Sequence, residues 1–359
     1  MTPAPGTARP DDGRWTRRGL FAAAATAGGG VLAACTADNG RAAPTATAPT
    51  ATATTTVTAT TTVTAEPAPP VTAAPGPSAP PAVLAEQPVP WTAVPGEVLP
   101  ACKQAAADFV VAAMSFPDRG RDDGPLAERL APLGLGADVA QPLVGLLPSA
   151  GPAALQVLYS QYGGLSADEQ QASQMVVGEQ LLLDPAGALV RRPFAADVRL
   201  ALDGGRWRVT AVVPGYPDPS SPVLTPAVEA LLGDGRVELT GVCAADLRAG
   251  VVQEPVAAGL LKLAEGWRIR VHVFRTGHPV NVWGTTRPSA HGTGQAVDVT
   301  ALDGVPVIEQ GRAPWRAFME AAAGAGATNI GGPAEPTPTG PYFTDRVHQD
   351  HVHLAFAPL

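Results

Sequence analysis

Two hydrophobic periods divide the chain. In residues 101–116, ACKQAAADFVVAAMSF, the apolar positions recur at helical spacing and put Cys102, Ala106, Phe109, Val110 and Ala113 on one face. Pro117 and the charged, glycine-containing DRGRDDG then end the helix. Further on, FAADVRLAL alternates strictly, with Phe194, Ala196, Val198, Leu200 and Leu202 on one side, and DGG turns it into RWRVTAVV, which predicts a β-hairpin. Beyond Ser221 the pattern mixes short elements. TPAVEALL and EPVAAGLLKLAE read as helices, RVELTG and WRIRVHVF as strands. APWRAFMEAAAGAG predicts a helix with Pro314 near its first turn and a buried stripe of Trp315, Phe318, Met319 and Ala322. Without a regular βαβ alternation, the expected class is α+β, as two α+β domains over 96–220 and 221–359.

The first 95 residues lack such patterning. Residues 14–35, RWTRRGLFAAAATAGGGVLAAC, join a positive region to a short Ala/Gly-rich stretch too weakly apolar to span a membrane. TRRGLF resembles a twin-arginine export signal, and LAAC resembles a lipobox, which implies cleavage before Cys35 and its lipidation. An unlipidated secretory signal or an alanine-rich cytosolic helix are the rival readings of residues 1–35. Residues 36–95 are dominated by Thr, Ala and Pro and offer too few large apolar side chains for a core, so a disordered linker is expected. The resemblance implies an exported lipoprotein held at the outer face of the cytoplasmic membrane. Residues 96–220 are similar in pattern to the NTF2-like superfamily and carry no evident catalytic constellation.

The formal net charge is −8, and no basic cluster lies beyond the N-terminus, so nucleic acid is not an expected partner. Apart from Cys35 the cysteines are Cys102 and Cys243. They can pair outside the cytosol, yet the helical face that holds Cys102 also suits a free thiol packed as a small apolar group.

All six histidines lie at or beyond His272. His272 and His278 read as packed or hydrogen-bonded core residues. Residues 289–300, SAHGTGQAVDVT, invite three explanations. A nucleotide-binding glycine loop should open a helix, whereas AVDVT is strand-like. A Ser289/His291/Asp298 triad lacks an elbow motif and leaves the C-terminal histidines unused. A metal site uses more of the residues: His291 from a loop and Asp298 from a strand can converge, while HQDHVH sends His351 and His353 to one strand face, opposite Val352 and Leu354.

SAHGTGQAVD and HQDHVH resemble the paired motifs of the zinc D-alanyl-D-alanine carboxypeptidases and related peptidoglycan endopeptidases. The resemblance covers roughly the last 80 residues and implies, for the second domain, a small antiparallel sheet with helices. It implies Zn2+ held by His291, Asp298 and His353, Asp350 as general base, and His348 and His351 as supporting histidines. It also implies peptidoglycan stem peptides as substrates, hydrolysed by a zinc-activated water. Where that family carries an arginine after a strand to bind a terminal carboxylate, this chain has FRTGHPVNVWGTTRPSAH, so Arg275 and Arg287, with Ser289, are the candidate substrate contacts. Two rival functions stay open: a non-catalytic lipoprotein that binds wall peptide or a partner protein, and a structural zinc site closed by a fourth ligand such as His351.

Overall fold

A computed structural model describes residues 84–118, 121–148 and 151–357. The signal-like segment, Cys35 and the linker up to residue 83 lie outside the described residues. The described residues belong to one compact unit, Pro75–Leu359.

The first half begins with helices α1 (Pro100–Met114) and α2 (Asp123–Leu130), followed by strands β1 (Ala153–Leu165), β2 (Gln171–Leu183), β3 (Leu189–Asp203) and β4 (Arg206–Pro214). The strands form an antiparallel meander in sequence order. Turns at Gly187 and at Gly204–Gly205, all at positive φ, reverse the chain where a side chain would be strained. Phe109, Val110 and Met114 of α1 meet Phe194, Val198 and Leu200 of β3 in one core, as the two hydrophobic periods require. Packing starts earlier than residue 96. Leu84 is buried against Ala154 and Leu181, and the Val89 N–H donates to Gln156 Oε1 at 2.7 Å.

The second half contains α3 (Pro226–Gly233), β5 (Val237–Leu239), α4 (Gly241–Arg248), α5 (Glu254–Ala264), β6 (Ile269–Val273), β7 (Ala296–Leu302), β8 (Val305–Pro306), α6 (Arg312–Gly324), β9 (Ala327–Gly331), β10 (Tyr342–Phe343) and β11 (Val352–Phe356). Its sheet runs β10-β9-β11-β7-β6-β5, with β8 added to β7. The central ladders are antiparallel, but β5 runs parallel to β6 and β10 parallel to β9, so the sheet is mixed and not antiparallel throughout. Both parallel members are short outer strands reached by crossovers rather than hairpins. The chain as a whole is α+β.

Strand alternation then sorts this sheet into two faces. Val297 and Val299 of β7 and Val352, Leu354 and Phe356 of β11 join Leu260, Phe318 and Met319 in an apolar core. Asp298 and His353 necessarily take the other face, and the β11–β7 register sets them directly opposite one another. Cys102 and Cys243 are both buried and free. No helix among the described residues is long and apolar enough to cross a membrane.

Candidate metal centre

The loop between β6 and β7 delivers His291. Gly294 adopts φ +71°, and a Cβ there would stand 1.9 Å from the Val251 carbonyl oxygen, so the glycine permits a close backbone approach. The turn closes with Gly294 N–H donating to His291 O at 2.9 Å, and Ser289 Oγ accepts from His291 N–H at 3.3 Å. His291 Nδ1 lies 2.6 Å from the Phe274 carbonyl oxygen, to which it can only donate. That bond makes Nδ1 the donor, so the neutral form of the ring presents its lone pair at Nε2.

Nε2 points at two partners. It stands 3.0 Å from His353 Nδ1 and 3.2 Å from Asp298 Oδ1, and those two atoms are 2.9 Å apart. One proton on His353 Nδ1 cannot serve both acceptors. Three tetrahedral ligands with bonds of 2.0–2.1 Å would be spaced by about 3.4 Å, so this triangle needs only a slight expansion to accept an ion. Burial alone would raise the Asp298 pKa, but the adjacent imidazoles of His291 and His351 hold it well below the usual carboxylate range. Burial pushes His353 down to about 4. A carboxylate and neutral imidazoles are the forms that ligate metal.

His278 belongs to this neighbourhood as well, and not only to the core. Its ring stacks on His291 with centroids 4.1 Å apart, and its Nδ1 lies 2.8 Å from the Pro279 carbonyl oxygen. The ligand atoms of His278, His291 and Asp298 all lie within 4.8 Å of one another, a group that could hold a metal ion. Two sets thus share His291 and Asp298 and differ in the third member. The set completed by His353 is tighter and demands less movement.

The carboxylate expected to act as base is placed differently. Asp350 is almost wholly buried, and its oxygens are committed: Oδ1 accepts from His351 Nδ1 at 2.6 Å, and Oδ2 accepts from Tyr159 OH at 2.9 Å and from Lys103 Nζ. Lys103 is also paired with Glu97, and Tyr159 OH lies 2.8 Å from Glu97 Oε1. Asp350 therefore stands behind His351. It is His351 that lines the cavity, with Nε2 3.8 Å from Asp298 Oδ1. Although burial pushes the other way, the Asp298 charge and the Asp350 hydrogen bond raise the His351 pKa. His348 does not hold Asp350 either. Its Nδ1 pairs with Asp345 Oδ1 at 2.7 Å, and its ring meets Phe343 edge-on on the cavity wall.

The cavity beside these residues measures about 350 Å³ and includes Arg287 and Ser289 in its lining. Arg275 lies elsewhere, in an adjoining cavity of about 830 Å³ that shares His278, Val282 and Trp283 with the first. Three residues of the first half that sequence reasoning passed over reach the site. Lys103 and Tyr159 bind Asp350, and Gln161 Nε2 donates to Asp298 Oδ2 at 2.6 Å. Lys103 had a signal: with Ala106, Ala107 and Val110 it occupies i, i+3, i+4 and i+7 of a buried helix face, where a lone charge needs a partner.

A comparison of the chain with family models, with curated proteins and with solved structures returns no match.

Proposed function

We propose that the protein is a metal-dependent amide hydrolase. More narrowly, it is a zinc peptidase that cuts the peptide stems of peptidoglycan in the manner of a D-alanyl-D-alanine carboxypeptidase, exported by the twin-arginine route and anchored through Cys35. The observation that carries the reading is the His291–Asp298–His353 triangle with His351 beside it. Two imidazoles and one carboxylate are a ligand set of catalytic zinc, and their tautomers and charge suit the ion.

His291, Asp298 and His353 would hold the zinc, which as a Lewis acid brings the pKa of a bound water to about 7. With its Nδ1 proton committed to Asp350, His351 offers Nε2 to the cavity as general base. It takes the proton as the water oxygen bonds to the carbonyl carbon, and returns it to the amine nitrogen as the C–N bond breaks. Asp350 keeps its charge and steadies the imidazolium that forms in between. Arg287, in the cavity wall, is suited to a substrate carboxylate.

Commitment of Asp350 to Lys103 favours one alternative, a domain that binds wall peptide without turnover. Defined stem peptides ending in D-alanyl-D-alanine, incubated with the protein with and without a chelator and followed by mass, separate the two. His291→Ala should lose zinc and activity together. His351→Ala should keep zinc and lose about 10²–10⁴-fold in kcat. Zinc-loaded protein that binds these peptides and releases no product would end the hydrolase reading.

A further inference from the structure

We infer that the first half of the chain completes the metal centre: Gln161 is a positioning residue for Asp298, and Lys103 and Tyr159 are positioning residues for Asp350 and, through it, for His351. The Asp298 part stands on its own, while the His351 part rests on the hydrolase reading above.

The contacts are specific. Tyr159 and Gln161 are two residues apart on β1, so both project from one face of the strand, toward the second sheet. Register irregularities between Val157 and Tyr159 and between Tyr162 and Gly164 bracket the pair, as bulges do where a strand must aim particular side chains. Gln161 is fully buried, and its amide nitrogen binds the Asp298 oxygen that faces away from the triangle. This leaves Asp298 Oδ1 directed at His291 and His353. Gln161 Oε1 meanwhile finds no hydrogen-bond partner among the described residues. An orphaned buried acceptor is destabilising, a penalty that a leucine at this position would not carry.

Lys103 repeats the argument. It is fully buried on an otherwise apolar helix face, between Glu97 and Asp350. A buried ion triad is commonly no more stable than well-packed apolar residues of the same volume. Packing alone therefore explains neither side chain. What they share is a terminus on the centre: Gln161 on a ligand, Lys103 and Tyr159 on the carboxylate that orients His351. A half that served only as spacer or lid would need none of these bonds.

The test uses three variants of the full chain. Gln161→Leu should weaken zinc binding about 10–100-fold in a chelator competition, the usual effect of removing a hydrogen bond to a ligand. Tyr159→Phe keeps the ring and loses one hydrogen bond to Asp350. It should leave zinc affinity and KM in place and lower kcat about tenfold, the loss of roughly one hydrogen bond in the transition state. Lys103→Met should act in the same direction and more strongly. If it fails to fold, Tyr159→Phe still decides that arm. Unchanged zinc affinity in Gln161→Leu, or kcat within twofold of wild type in Tyr159→Phe, overturns the inference. A wild-type protein that binds zinc without hydrolysing stem peptides ends the hydrolase reading, and with it the His351 arm, while the Gln161 arm remains decisive. Hydrolysis that Tyr159→Phe and Lys103→Met share with wild type does the reverse: it overturns the His351 arm and leaves the hydrolase reading standing.

Discussion

Replacing Lys103 by methionine isolates the energetics that hold the two halves to one site. The ammonium is fully buried and is shared by Glu97 and Asp350, which are 6% and 3% exposed. Without it, two carboxylates confront each other across the Tyr159 hydroxyl, 2.8 and 2.9 Å from its oxygen. Removing one partner of a buried ion pair costs about 3–5 kcal/mol, against a total stability of about 5–15 kcal/mol for a domain. Proton uptake caps the cost, and this gives the prediction its pH dependence. Lys103 and the His351 hydrogen bond depress the Asp350 pKa against the upward push of burial. Its contribution is therefore present above the unfolded value near 4 and disappears as pH falls through the folded value. Glu97, which burial already pushes up, is the carboxylate that accepts a proton first. The penalty of Lys103→Met should thus be full at pH 7.5 and shrink toward pH 4.5. Lys103→Met/Asp350→Asn, which removes the ammonium and one of its two carboxylates, should recover part of it. Urea unfolding of metal-free protein, followed by tryptophan fluorescence at both pH values, measures all three quantities. A loss below about 1 kcal/mol at pH 7.5, or an equal loss at pH 4.5, would refute the buried triad.

Two further changes probe neighbouring parts of the centre. Burial holds the His272 pKa down to about 4. The unfolded chain takes up that proton near pH 6.5, so wild-type stability should fall by up to about 3 kcal/mol between pH 6.5 and 4. His272→Phe, which retains an aromatic ring edge-on to Tyr159, should flatten this stretch of a urea-midpoint profile; an unchanged slope would assign the pH dependence to another group. Gly294→Ala must relieve a 1.9 Å approach to the Val251 carbonyl oxygen at a residue with φ +71°. It should cost about 2–4 kcal/mol and weaken zinc affinity at least tenfold by shifting His291, whereas native affinity would mean the turn does not set that ligand.

How much of this could be read from sequence depended on how local each signal was. The α6 stripe, the β3–β4 hairpin and the two-faced β7 and β11 were legible because each periodicity serves a single buried face. The β1–β2 pair was not. Nearly every position of β2 is buried on both faces, and β1 breaks register twice, so neither strand alternates cleanly. The parallel outer strands β5 and β10 span only Val237–Leu239 and Tyr342–Phe343, too short for any pattern. In the site itself, the convergence of His291, Asp298 and His353 was legible because two short segments carry them. Gln161, Tyr159 and Lys103 find their partners 137, 191 and 247 residues away, through a packing of halves that no local rule encodes. Asp350 was seen, but its role came from the family resemblance. A motif does not reveal that a lysine from α1 occupies the oxygen a base would need.

The same commitment bears on whether the centre is structural or catalytic. A structural zinc site is closed by four protein ligands and supplies folding energy to a unit that lacks a sufficient core. Each half here already has an extensive apolar core, one around Phe109 and Phe194, the other around Leu260 and Phe318. A closed site would also draw His351 Nε2 into the ligand triangle, from its present 3.8 Å separation from Asp298 Oδ1. Its opposite nitrogen is tied to Asp350, which Lys103 and Tyr159 in turn fix to the first half. That chain of contacts resists the inward movement and keeps an imidazole nitrogen facing an open cavity. Under the proposed hydrolase reading, an imidazole held beside the candidate metal site, at the expense of burying three charges, serves proton transfer better than it would serve a structural ion.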